Sequence, residues 1–187
     1  MSFNLVRTKT NLKENYKIIC DNIPTSIFAK LGFSFVKKLV MEDVICVYNI
    51  IKNKKIVSII TVINYKNYLK INKKILFYLL LNPLILIKNF FQIIYSRKKS
   101  LKFKITDQYL HMLHLIIIGD YFKNISKKEK DKMFNMFFKR ILTLHGAKII
   151  FLCFNRDNIK ALKFYSRNSF SIFYKTENII YCKKKYN

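Results

Sequence analysis

The sequence predicts an α/β fold: a single-domain mixed sheet flanked by helices, with a helical insertion around residues 64–105. Three observations carry this expectation. Short β-branched runs alternate with segments whose apolar residues recur at i, i+3 and i+4. Hydrophobic residues make up 51% of 187 residues, with only 3 Gly and 2 Pro, enough for one real core. No repeat or linker divides the chain, so residues 1–187 read as one unit.

YKIIC (16–20) reads as a first strand. NIPTSIFAKLGFSFVKKLV (22–40) turns at Pro24, then sets Ile27, Phe28, Leu31, Phe35 and Leu39 at helical spacing. Ser26 or Thr25 can cap that helix. DVICVYNII (43–51) and KIVSIITVI (55–63) are β-branched runs joined by a short polar KNK, the pattern of a hairpin. Glu42 and Asp43 read as turn or cap residues beside it.

The Lys-, Leu- and Tyr-rich stretch 64–105 is expected to be helical. Inside it, KILFYLLLNPLILIKNFFQIIY (74–95) is the most apolar segment of the chain. A span needs about 20 apolar residues, and Asn82, Pro83 and Lys88 interrupt this one. It reads as two short helices around a proline break rather than a crossing. Its Lys and aromatic flanks fit an interfacial role on an anionic membrane surface.

YLHMLHLIIIG (109–119) is a buried central strand. Ser126 and Glu129 form a capping-box pattern. Behind it, Met133, Phe134, Phe137, Phe138, Ile141 and Leu142 make one helical face, ended by Gly146. KIIFLCF (148–154) is a second buried strand, with Cys153 in the core. NIKALKFYSRN is a short helix with Ala161, Leu162, Phe164 and Tyr165 inward, and FSIFY and NIIYC close a hairpin.

Thirty-six Lys+Arg against 10 Asp+Glu give +26 at pH 7. Such a charge favours phosphates, nucleic acid or an acidic membrane. Lys, Asn, Ile, Phe and Tyr all have A/T-rich codons, so compositional drift is an equal source of it. The basic residues are spread along the chain and no nucleic-acid-binding motif occurs, which argues against a nucleic-acid module. Cys20, Cys46, Cys153 and Cys182 form no CxxC, and the polar start MSFNLVRTKTNLKENYK offers no signal peptide. Buried free thiols in a cytoplasmic, at most membrane-peripheral, protein are expected. Three His and few acids leave little for a metal, and no metal is expected.

Asn158-x-x-Ala161-x-x-Phe164-Tyr165, followed by Asn168-Ser169-Phe170, resembles the closing signature of the GNAT superfamily of N-acyltransferases, with Ser169 at the family's glycine. The element order fits that family over nearly the whole length. The resemblance implies an acyl-CoA donor, acetyl-CoA or a longer one, lying where the fourth and fifth strands part. It implies pantetheine pairing by the backbone of Ile116, Ile117 and Ile118. It implies pyrophosphate binding by the next loop, here Lys123, Asn124, Ser126, Lys127 and Lys128, with Asn158 completing the cofactor set. It implies that Tyr165 protonates the departing thiolate. His111 and His114 are the candidate bases for a small-molecule amine acceptor. They differ by three in number, so opposite faces of the strand are expected. The front end and the insertion resemble a bacterial branch linked to cell-surface sugar biosynthesis, which implies an amino-sugar acceptor.

One departure stands out. The family's pyrophosphate loop is typically Arg/Gln-x-x-Gly-x-Gly/Ala, yet no glycine occurs from Asp120 to His145. Glycine lets phosphate oxygens approach backbone N–H groups closely. Lys123, Lys127, Lys128 and Lys130 offer point charges instead. The sequence therefore also admits an inactive GNAT-like binding or scaffold protein.

Overall fold

A computed structural model describes residues 3–24, 26–82 and 108–186. The elements are β1 (Asn4–Thr8), α1 (Leu12–Asn22), α2 (Ile27–Leu31), α3 (Phe33–Met41), β2 (Cys46–Lys52), β3 (Lys55–Asn64) and α4 (Tyr65–Leu81). Then come β4 (Tyr109–Ile117), a 3-10 turn (Gly119–Phe122), α5 (Lys127–His145), β5 (Ile149–Asn155), α6 (Ile159–Arg167), β6 (Ser171–Lys175) and β7 (Ile179–Lys185). Among the described residues, seven strands form one sheet in the order β1-β2-β3-β4-β5-β7-β6. All neighbours are antiparallel except β4 and β5.

Each face of the sheet carries its own core. Phe134, Phe137, Phe138, Ile141 and Leu142 of α5 and Tyr165 of α6 pack on Tyr48, Ile60, Met112, Ile150 and Leu152. Leu39 of α3, Ile19 of α1 and Leu79 of α4 pack on Val47, Ile59, Ile63 and Ile116. Alternate residues of the same strands thus feed two layers of helices.

The first strand is not YKIIC. That run lies inside α1, where Leu12, Asn15 and Ile19 are buried at helical spacing. A short apolar run alone does not separate strand from helix. The strand is β1, paired with β2 through Leu5↔Ile50. The helix expected over 22–40 is two helices, broken at Gly32, whose φ of 86° suits glycine. Ser26 does cap α2, its Oγ accepting from Phe28 N–H at 3.3 Å. The first helix of the insertion is α4; the second lies outside the described residues. No described helix is long and apolar enough to cross a membrane.

Candidate active site

β4 and β5 pair only through Tyr109↔Ile149, Leu110↔Ile150 and His111↔Phe151. Beyond that point the strands have no shared register. β4 stays on β3 as far as Ile117, and β5 stays on β7 as far as Asn155. Among the described residues, no strand covers the β5-side edge of β4 after His111. Backbone N–H and C=O groups on such an edge seek partners. An extended ligand carrying amides can supply them as an added strand does.

Strand geometry selects which groups face that gap. The Ile116 carbonyl accepts from Ser58 Oγ at 2.6 Å, and Ile118 N–H donates to the Val57 carbonyl at 3.0 Å. Both residues therefore aim their backbone at β3. Alternation then turns the N–H and C=O of Ile117 toward β5. Of the three isoleucines, Ile117 is the one oriented to receive a ligand's amide.

β4 also carries a β-bulge. Met112 pairs with Val62 and His114 with Thr61, so Leu113 is an extra residue. The bulge inverts the side-chain parity. Leu110 and Met112 face the α5–α6 core before it, and Leu115 and Ile117 face that core after it. His111, opposite Ile63, and His114, opposite Thr61, consequently share the other face. The expectation of opposite faces is corrected, because it assumed an unbroken period of two.

His114 is 7% exposed, with Nε2 2.8 Å from Ser26 Oγ and the Phe28 ring edge-on at 5.5 Å. Burial lowers its pKa to about 4. His111 stacks on Phe151 at 4.3 Å, and burial together with nearby His114 lowers its pKa to about 3. Both are neutral at pH 7 and weakly basic. That ill suits a group that must take a proton from an ammonium.

The loop after β4 is anchored by Phe122, which is fully buried. Its far end is a complete capping box. Ser126 Oγ accepts from Glu129 N–H at 3.2 Å, and the Glu129 carboxylate accepts from Ser126 N–H at 3.0 Å. Two orphan donors of the α5 start are thereby used, leaving the backbone N–H groups of Lys127 and Lys128. The side chains of Lys123, Asn124, Ser126, Lys127 and Lys128 are all exposed. The bonds to Ser126 hold Glu129 below the usual carboxylate range, so it is charged at pH 7. An anion at this end meets lysine point charges, two N–H groups and one opposing carboxylate.

α6 places Tyr165 on the opposite wall. Its ring is 8% exposed and stacks on Phe154 of β5 at 5.4 Å, with Phe164 and Phe170 edge-on. Phe154 lies past the last β4–β5 pair, so Tyr165 packs on the part of β5 that borders the gap. Burial pushes the phenol pKa up, so it stays protonated at pH 7. Asn158 is exposed, and its Oδ1 accepts from Ala161 N–H at 3.0 Å as the α6 cap. Cys153 is exposed rather than core, because it lies on β5 past the last pair with β4, whereas Phe151, on the same face but within that pairing, is buried.

Two residues escaped the sequence reading. Asn168 is 1% exposed, donates to Asp131 Oδ1 at 2.9 Å and accepts from Asn135 Nδ2 at 2.8 Å. It ties the end of α6 to α5 and so fixes the helix that bears Tyr165. Its place in the Asn-Ser-Phe close of the signature was the available signal. Ser26, the partner of His114, was legible only as a helix cap.

Neither family models nor curated proteins match the chain. Solved structures do. The N-acetyltransferase PseH of Campylobacter jejuni, in complex with acetyl coenzyme A, superposes with a TM-score of 0.59 at 14% identity, over 98% of this chain and 99% of that one. A GNAT-family protein of Desulfovibrio desulfuricans gives 0.56 at 9% identity, over 98% and 99%. The chain has the GNAT fold. An aminoglycoside acetyltransferase, AAC(6')-Ib, in complex with coenzyme A and kanamycin, shares that fold with a TM-score of 0.57 at 10% identity, over 98% and 95%. The parted β4 and β5, the capped α5 and the Tyr-bearing α6 are thus parts of a GNAT fold whose solved examples include CoA complexes.

Proposed function

We propose that this protein transfers an acyl group, acetyl in the simplest case, from acyl-CoA to a primary amine. The observation that carries the reading is the short β4–β5 register, which leaves the Ile117 edge open beside the wall that holds Tyr165. An acyl-CoA would lie along that edge, with its pyrophosphate at the start of α5 near Lys123, Asn124, Ser126, Lys127 and Lys128. The amine lone pair attacks the thioester carbonyl and forms a C–N bond. The C–S bond breaks and the thiolate takes the Tyr165 proton; the proton the amine sheds as the amide forms passes through water and restores the phenol, so amide and free CoA thiol are the only products. The acceptor we favour is an amino sugar, supported by the front-end resemblance and by the kanamycin complex of a GNAT-fold neighbour.

The closed capping box favours a second reading, a GNAT-fold binding protein that no longer takes CoA. Release of CoA thiol from acetyl-CoA, measured with a panel of amino sugars, separates the two. Acyl transfer predicts acceptor-dependent release, reduced about 10²-fold or more in kcat by Tyr165→Phe with melting temperature unchanged. An undiminished kcat in Tyr165→Phe would remove the tyrosine from the mechanism. Absence of release with every amine would leave the binding protein.

A further inference from the structure

The C-terminal half of α4 is apolar on both sides. Ile71, Ile75, Tyr78 and Leu79 face the sheet and α3. On the outer side, Phe77, Leu80 and Leu81 are 65%, 63% and 64% exposed. At 100° per residue these three lie on one stripe with Lys70 and Lys73, which are exposed one to two turns earlier. A helix end that is apolar all round is ordinarily covered, and contiguous exposed apolar surface marks an interaction site.

The neighbouring cleft carries the same signature. It holds about 590 Å³ between α3 and α4, with Phe35, Leu39 and Leu81 among its apolar lining and Lys38, Lys73 and Lys74 at its polar groups. Lys74 hydrogen-bonds Glu42, the one acidic side chain among the described residues of the lining. A lysine field beside an apolar stripe complements a surface that is anionic outside and hydrocarbon beneath. A chain of formal charge +26 is drawn to such a surface, while two copies of it repel each other.

We propose that the outer face of α4 docks on an anionic lipid bilayer, with Phe77, Leu80 and Leu81 entering the interface and Lys38, Lys70 and Lys73 meeting the headgroups. α4 itself is not long and apolar enough to cross a bilayer, so its own contact is with the interface. It stands independently of acyl transfer.

The test is co-sedimentation of the full chain with vesicles of phosphatidylcholine alone and of two parts phosphatidylcholine to one part phosphatidylglycerol, at physiological salt. Phe77→Glu/Leu81→Glu is compared with Met136→Glu/Leu144→Glu, an equal charge change at exposed positions of α5. Docking predicts binding to the mixed vesicles, weakened about tenfold or more by the α4 pair and far less by the α5 pair. The chain has no tryptophan, so Phe77→Trp gives a second readout that does not depend on the glutamates. Its emission shifts to the blue on the mixed vesicles, and that of Met136→Trp stays put. No binding by the unaltered chain, equal weakening by both pairs, or a dimer broken by the α4 pair would each overturn the proposal.

Discussion

At the residue scale, the candidate phosphate site turns on Glu129. Its carboxylate stabilises α5 by accepting from Ser126 N–H, yet it puts negative charge where a pyrophosphate would arrive. Glutamine accepts the same hydrogen bond without the charge. Glu129→Gln is therefore expected to tighten acetyl-CoA binding about two- to fivefold, read by calorimetric titration. A loosened or unchanged affinity would mean that no anion sits there. Residues of this kind were legible in advance. Ser126, Glu129 and Gly146 announced both ends of α5, because caps are local chemistry between neighbours in sequence. Ser169 was readable as a glycine replacement, and it does hold φ at 62°, in the left-handed region that glycine occupies freely. Cys153 was not readable. An apolar run gives no sign of where a sheet opens and exposes one of its residues.

At the element scale, the bulge in β4 decides where the histidines go. Nothing local in YLHMLHLII marks Leu113 as the extra residue; it is fixed by registration against β3. The same limit explains YKIIC. Its helical state follows from the burial of Leu12, Asn15 and Ile19 against neighbouring helices, while the real edge strand, NLVRT, is too polar to declare itself. The bulged strand carries a pH signature. His114 has a folded pKa of about 4, below its unfolded value near 6.5. Below pH 6.5 the unfolded chain takes up the proton first, so stability is lost as pH falls toward 4, by about 3 kcal/mol for this residue. His111 and His145, also lowered by burial, add to the slope in the same window, while Asp131, Asp43, Glu42 and Glu129, with lowered pKa values, begin to contribute only near its acid end. Urea denaturation from pH 7 to 4.5 should show a slope that flattens in His114→Gln. An unchanged slope would place His114 in water rather than against Ser26 and Phe28.

At the scale of the whole molecule, the order of elements from the β2–β3 hairpin onward and the flanking of a sheet by helices followed from periodicity, because alternation within strands and amphipathic stripes on helices both point to a covered sheet. The parting of β4 from β5 did not follow from periodicity. It was an expectation only through resemblance, since it depends on which strand each chooses as its second neighbour. The charge is the molecular property most able to mislead. A chain at +26 binds polyanions of any kind, and such binding fades steeply with salt. Whether the β4–β5 gap takes an acyl-CoA is tested most directly by thermal melting with and without saturating acetyl-CoA in high salt. A bound acyl-CoA should raise the melting temperature by roughly 5–10 °C at a hundredfold excess over Kd, an effect retained in high salt and not reproduced by an equal concentration of inorganic pyrophosphate. No rise, or a rise that vanishes with salt, would contradict acyl-CoA binding there.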